Sequence, residues 1–319
     1  LGTRAQLIKM APVILELERR GWNSRLILTG QHKETMDQLI SDFGITAQPV
    51  CIYAGPEVTS IKRVIPWFLR CLWRLWRNAK TLFPASAEKS VILVHGDTFS
   101  TLLGALAGRM TGQRVAHVES GLRSFNLWHP FPEELTRLAV FRLSHLAFCP
   151  DEWARSNLKG YRIKAVNTEG NTLLDALRIA LTTEKPLPLK LPATPFGVVS
   201  LHRFENIFKK DRLILILNLI EEAADQYQLV FVLHPATRKN LEKFGLLDRL
   251  AKNKRIHLWP RMGYFEFVGL LKQSTFVITD GGSNQEELSY LGKPTLLMRQ
   301  ATERQEGLGA NVVLGAYQR

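Results

Sequence analysis

The chain is poor in cysteine: Cys51, Cys71 and Cys149 are the only three in 319 residues, and they lie far apart. That excludes a disulfide framework and a cysteine-based zinc site, and makes a reducing cytosol the expected compartment. No unbroken apolar run approaches the ~20 residues needed to span a bilayer, and the first residues do not read as a signal peptide. No nucleic-acid-binding motif, metal-ligand set or nicotinamide-binding fingerprint is visible, so neither metal nor cofactor is expected. Acidic residues are in deficit, with Asp+Glu 29 against Lys+Arg 42 and a net charge of +13. A basic balance calls for an anionic partner: a nucleic acid, a lipid headgroup or a sugar nucleotide.

What the chain does have is a regular alternation of short apolar runs and helical patterns, over a length sufficient for two cores. Arg25–Leu28, Val91–Val94, Val115–Val118 and Leu146–Pro150 read as buried strands of a first domain. Gly197–Leu201, Leu229–Leu233, Phe276–Thr279 and Pro294–Arg299 read as strands of a second. Between them Lys185–Pro195 holds four prolines in eleven residues, a stiff extended linker. The expected fold class is α/β: two Rossmann-like, doubly wound domains, 1–183 and 197–319, joined by a Pro-rich linker, 184–196.

The chemistry concentrates in Val91–Arg137. Two successive strands end on a carboxylate, at Asp97 and Glu119, and Glu133 opens a helix shortly after. Ligands of open α/β sheets bind beyond the carboxyl ends of the strands, so these three read as acid/base groups. The plainer alternative is that Asp97 and Glu133 cap helices. In the second half, Gly281-Gly282-Ser283 opening a helix suits a diphosphate, because small residues let backbone N–H groups approach its oxygens. Glu287, one turn inside, is placed to accept from ribose hydroxyls.

Several blocks carry a resemblance. HGDT (His95–Thr98), HVESGLRS (His117–Ser124), PFPEELTR (Pro130–Arg137), TGQH (Thr29–His32) and TERQEG (Thr302–Gly307) resemble the signatures of the non-hydrolysing UDP-N-acetylglucosamine 2-epimerases. Gly2–Pro12 resembles that family's GTRPEAIKMAP opening, with Ala5 and Gln6 replacing Pro and Glu. His202-Arg203-Phe204-Glu205 resembles HRRE with its second Arg replaced by Phe204. Asp280–Glu287 resembles DSGGIQEE with the serine displaced. Thr168–Thr172 matches VTGNT loosely.

The resemblance implies two Rossmann-like domains facing a central cleft (the GT-B arrangement). It also implies reversible conversion of UDP-N-acetylglucosamine to UDP-N-acetylmannosamine through loss and re-addition of UDP. It carries Asp97, Glu119, Glu133 and His202 over as catalytic residues. Arg4, Lys9, Arg137, His234, Phe267, Gly281, Gly282, Ser283, Glu287 and Arg304 are carried over as substrate-binding. No cofactor or metal, a UDP-sugar substrate and a homodimer complete what it implies. A GT-B glycosyltransferase acting on a lipid-linked acceptor is the main rival, followed by a non-catalytic UDP-binding module.

The stretch Ser60–Phe83 does not resemble the family. Its helical spacing places Ile61, Val64, Ile65, Phe68, Leu72, Leu75, Trp76 and Ala79 toward the core, leaving Arg63, Trp67, Arg70, Trp73, Arg74 and Arg77 outward. Tryptophan among arginines suits peripheral contact with the inner face of a membrane. Leu1-Gly2-Thr3-Arg4 reads as the end of a strand, so the chain is expected to be a piece of a longer one.

Overall fold

A computed structural model describes residues 1–30, 36–55, 61–83, 90–127, 131–183, 185–302, 304–315 and 317. Gln31 and His32, Ser60, Pro130 and Glu303 of the blocks above lie outside the described residues. The chain divides into two compact units, Leu1–Ala176 and Leu177–Arg319.

The first unit carries strands β1 (Ile27–Leu28), β2 (Val50–Cys51), β3 (Val91–His95), β4 (Arg114–Val118), β5 (Leu146–Cys149) and β6 (Lys164–Asn167). Its helices are α1 (Arg4–Arg19), α2 (Met36–Phe43), α3 (Ile61–Arg77), α4 (Ala79–Leu82), α5 (Phe99–Met110), α6 (Glu133–Leu143) and α7 (Glu152–Ser156). Helix α8 (Thr172–Thr182) leads into the second unit. β1 pairs with β2, and β3-β4-β5-β6 form a separate sheet, all parallel. A cavity of about 780 Å³ is lined by Met10 and Ile14 of α1, Ile27 of β1 and Ile92 and Val94 of β3. Leu1 is tied to the β1 segment: its amino group donates to the Ile27 carbonyl at 2.7 Å and its carbonyl accepts from the Thr29 N–H at 2.9 Å.

α1 starts on a capping box in which Thr3 and Gln6 satisfy each other's backbone N–H groups. The Gln6 amide also donates to the His95 carbonyl at 2.7 Å and Thr101 Oγ1 at 3.0 Å, pinning α1 to the end of β3. The carboxylate that the family pattern has at this position has no proton to donate there.

The second unit is a six-stranded parallel sheet in the order β12-β11-β10-β7-β8-β9. Its strands are β7 (Phe196–Ser200), β8 (Gln228–Leu233), β9 (Ile256–Pro260), β10 (Phe276–Thr279), β11 (Thr295–Leu297) and β12 (Val312–Leu314). Its own helices are α9 (Phe204–Ile207), α10 (Lys210–Ala224), α11 (Pro235–Lys243), α12 (Leu247–Lys252), α13 (Tyr264–Gln273) and α14 (Gly282–Tyr290). Side chains alternate across its strands: Val199 and Phe231 enter one core with Leu213, Ile216 and Leu217, and Val198 and Val230 enter the other with Leu270 and Leu288. Both faces are apolar because helices cover both, as parallel sheets require. Leu187 and Leu191 of the Pro-rich stretch pack on the second of these cores.

α3 corrects the sequence expectation. Trp67, expected outside, is 2% exposed and packs with Cys71, Leu75, Leu103 and Ala107. Its indole N–H donates to the Thr29 carbonyl at 3.0 Å. Ile65 and Trp76, expected inside, are 63% and 59% exposed. The helix has two apolar stripes, and spacing alone cannot say which one meets the sheet. The stripe that also satisfies its polar tip is the one buried.

His117 of β4 is buried beneath α6, with its ring 5.8 Å from that of Phe141. Its Nε2 lies 2.7 Å from the Gly96 carbonyl, which can only accept, and Nδ1 lies 2.9 Å from the Ser120 hydroxyl. Burial pulls its pKa down to about 4. The folded form therefore resists a proton that the unfolded chain accepts near pH 6.5. This contribution to stability is complete above pH 6.5, is lost as pH falls toward 4 and then levels off. In urea unfolding at pH 6.5, 5.5 and 4.5, His117→Gln is expected to lose about 2–3 kcal/mol less than the parent across that window.

Candidate active site

β3 and β4 pair with His95 opposite Val118, so the loops after them leave the sheet side by side. Gly96, at φ 68°, turns the chain, and Asp97 follows. Thr98, not Asp97, caps α5 through the Thr101 N–H. Asp97 is thus released from a capping role and accepts from Arg137 of α6, Oδ2 to Nη2 at 2.5 Å. Arg137 is held from behind by Glu134, Nη1 to Oε2 at 3.3 Å.

Glu134 is fully buried; it also accepts from Arg123 Nε at 2.5 Å and the Ser124 N–H at 3.0 Å. Burial pushes its carboxyl up, but the Ser124 N–H and the two guanidiniums outweigh this and hold it below the usual range. Burial likewise lowers Arg137, while Asp97 and Glu134 raise it further, and the net direction is up.

Glu119 sits just past β4 at φ 58°, a backbone state costing about 1 kcal/mol or more for a residue with a side chain. What holds it there is a set of tertiary contacts. Oε1 accepts from Lys9 Nζ at 2.5 Å and Asn171 Nδ2 at 2.9 Å, and Oε2 lies 3.1 Å from His95 Nε2. The Lys9, His95 and Glu119 side chains are all nearly withdrawn from solvent. Lys9 and Arg137 therefore orient carboxylates. Arg4 is the partly buried first residue of α1. Glu133 stands in the first turn of α6, after an N-cap, Pro132, that offers no side-chain acceptor. One of its oxygens, Oε2, is buried with no hydrogen-bond partner among the described residues.

In the second unit the strand order reverses between β7 and β10, the switch point where such sheets bind ligands. His202 and Arg203 follow β7, and Asp280, Gly281 and Gly282 follow β10. Buried Asp280 ties the two loops together: it accepts from the His202 N–H at 3.0 Å, the Arg203 N–H at 3.0 Å and Asn206 Nδ2 at 2.9 Å. Gly281 caps α14 with no side chain over the helix end. A Cβ on Gly281 would lie 2.9 Å from the His202 ring, and one on Gly282 would lie 3.4 Å from Arg304 Nε and 3.6 Å from Arg203 Nη2. A helix N-terminus with two guanidiniums and an imidazole beside it is a cradle for a doubly charged phosphate group.

Ser283 is half-buried at the start of α14. Glu286 anchors Arg304 from inside the fold. Glu287 is nearly buried beside Tyr264, whose phenol is pushed well above its usual range by burial and then by the Glu287 carboxylate. The His234 ring lies 5.8 Å from that of His202. Phe267 of α13 is half-buried against the core that holds Val198 and Trp259. Among the described residues no group of His, Cys, Asp and Glu is arranged to hold a metal ion.

Comparison with known proteins gives this geometry a family. A sequence profile described as UDP-N-acetylglucosamine 2-epimerase matches residues 15–318. The chain belongs to the UDP-N-acetylglucosamine 2-epimerase family. Among its epimerase relatives, the enzyme of that name from Methanocaldococcus jannaschii is 33% identical, covering 99% of this chain and 87% of the relative. The one from Neisseria meningitidis serogroup A is 34% identical, covering 98% and 84%. A crystal structure of the Neisseria meningitidis epimerase bound to UDP-GlcNAc superposes with TM-score 0.80 at 32% identity, covering 98% of this chain and 85% of that one. The Methanocaldococcus jannaschii epimerase in complex with UDP-GlcNAc and UDP gives 0.77 at 30%, covering 99% and 87%. The glycosyltransferase of kitacinnamycin, at 14% identity and TM-score 0.58 over 97% and 83%, shares the fold alone.

Sequence reading of this epimerase-family chain missed the residues that hold the others: His95, Asn171, Glu134, Arg123, Arg203 and Asp280. Their signal is weak: His95, Asn171 and Asp280 act through partners 24 to 78 residues along the chain, and Glu134, though only three residues from Arg137 and eleven from Arg123, carries no local mark that it is buried. Glu134 is the sharpest test. Glu134→Gln strips the buried counter-charge from Arg123 and Arg137, and should lower unfolding free energy by about 3–5 kcal/mol in urea titrations. A change within 0.5 kcal/mol would show that the two arginines do not need it.

Proposed function

We propose that this epimerase inverts C2 of UDP-N-acetylglucosamine reversibly, giving UDP-N-acetylmannosamine for surface-polysaccharide precursors. Asp97, Glu119 and Glu133 of the first unit supply the proton transfers at C2. The α14 cradle of the second unit takes the diphosphate. In the forward direction a carboxylate removes the C2 proton. The C1–O bond breaks, and its electron pair leaves on the β-phosphate oxygen of UDP while a C1=C2 double bond forms. Re-addition of that oxygen to C1, with a proton delivered to the opposite face of C2, completes inversion. The C2 proton is weakly acidic, so the base must be positioned and shielded from water: Glu119, fixed by Lys9, is nearly withdrawn from solvent, and Asp97 is positioned by Arg137. Negative charge growing on the leaving UDP is met by the α14 N-terminus, Arg203, Arg304 and His202. Glu287 receives the ribose hydroxyls and Phe267 neighbours the uracil.

The observation that carries this reading is the pairing of two kinds of site in one chain. Carboxylates held at adjacent strand ends by the buried Lys9 and the partly buried Arg137 are proton-transfer equipment. A glycine-opened helix flanked by guanidiniums is diphosphate equipment. A glycosyltransferase needs the second, and at most one base from the first.

Incubation with UDP-N-acetylglucosamine in heavy water should place deuterium at C2 of both epimers. Sugar transfer to an acceptor without exchange would sink the reading in favour of a transferase. Asp97→Asn, Glu119→Gln and Glu133→Gln should each cut turnover by at least ~100-fold while UDP still binds, the scale of losing a positioned acid or base. A variant that loses exchange from only one epimer identifies the group serving that face. Conversely, Gly282→Ala should fold normally, since its methyl meets only ordinary contacts, yet weaken UDP in calorimetry by about tenfold or more.

A further inference from the structure

Inversion at C2 leaves the proton-transfer groups out of step. One group ends the cycle with a proton gained from C2, and the group serving the opposite face ends it with one lost. Each must be reset before the next sugar is turned over. For Glu119 this is difficult, because its side chain is only 7% exposed. Lys9 Nζ and Asn171 Nδ2, which hold Oε1, are donors and cannot accept a proton. The His95 ring, with Nε2 3.1 Å from Oε2, differs in kind: an imidazole can take a proton or give one.

His95 is also held in a way that leaves its ring uncommitted. Its carbonyl accepts from Gln6 Nε2 at 2.7 Å and Thr101 Oγ1 at 2.6 Å, so the backbone is fixed. The side chain is buried, yet neither ring nitrogen has an aligned hydrogen-bond partner among the described residues. A buried histidine that only supports the fold satisfies both nitrogens, as His117 does with the Gly96 carbonyl and the Ser120 hydroxyl. His95 and Glu119 line the cavity of the first unit together with Thr29, Ser100 and Thr101, whose hydroxyls can both donate and accept.

We propose that His95 is a positioning residue that acts through Glu119: its Nε2 exchanges a proton with Glu119 Oε2 and so resets the carboxylate between turnovers. The inference rests on the epimerisation reading. Where Glu119 is the base, its carboxylate breaks the C2–H bond and becomes a carboxylic acid. The Oε2–H bond then breaks and the Nε2–H bond forms, which restores the carboxylate and leaves an imidazolium. The imidazolium loses a proton to solvent and is neutral for the next cycle. Where Glu119 is the acid, the same transfers run in the opposite sense.

The test separates the first turnover from those that follow, by rapid-quench measurement of parent and His95→Gln with UDP-N-acetylglucosamine. His95→Gln should complete its first turnover at close to the parent rate and then slow at least ~10-fold, with UDP affinity unchanged. A merely structural role would slow the first turnover as much as the later ones, and that outcome overturns the inference. So does steady turnover by His95→Gln within twofold of the parent. Should His95→Gln fail to fold, His95→Asn, smaller than the imidazole and equally unable to carry the proton, makes the same measurement. A parent that places no deuterium at C2 in heavy water overturns the epimerisation reading and this inference with it. A parent that exchanges, beside a variant with no such lag between first and later turnovers, overturns this inference alone.

Discussion

Lys9 and Glu119 meet at 2.5 Å with both side chains almost out of solvent, and much of the first unit's site follows from that contact. Two opposite charges leave water together only if their geometry and remaining hydrogen bonds compensate for desolvation. Here Asn171 donates to the same carboxylate oxygen, and His95 faces the other. α1, the ends of β3 and β4 and the loop before α8 are drawn onto one acidic group. The left-handed backbone at Glu119 is tolerable because these elements over-determine it.

The second carboxylate group follows the same logic in a different layout. Asp97 is positioned by Arg137, and Arg137 by Glu134, which sits deeper and also holds Arg123. In the second unit Asp280 does for the loops after β7 and β10 what Glu134 does for two arginines. It spends its lone pairs on backbone N–H groups and an amide, so His202 and Arg203 are fixed beside Gly281 and Gly282. For the proposed reaction this means proton-transfer and charge-accepting groups are built in advance, with little reorganisation left for the moment of bond cleavage. Phe204, where the family pattern has a second arginine, is exposed and stacks on Phe208 at 4.4 Å. Arg203 and Arg304 are the guanidiniums that remain over Gly282.

Much of this was legible before any coordinates. Strands buried on both faces show as unbroken apolar runs, so Val115–Val118 and Phe276–Thr279 stood out; Val91–Val94 stood out as well, although Val91, expected buried, is half exposed at the start of its strand. A helix that opens on Gly281-Gly282 is equally plain, because two adjacent glycines stand out at the break after an apolar run. Weakly apolar or short strands did not stand out: Val50–Cys51 and Lys164–Asn167 lack a run long enough to separate from their surroundings.

The sequence by itself determined the α/β class, the family, and which strand ends carry carboxylates and glycines, because each of these is a local pattern. Only the tertiary structure decided who holds whom. Lys9 reaches Glu119 across 110 residues, Asn206 reaches Asp280 across 74, and nothing local marks either pair. It also decided which way α3 faces. The stripe that packs on Leu103 and Ala107, and whose Trp67 indole reaches the Thr29 carbonyl, faces inward, and Trp73 and Trp76 are left outside.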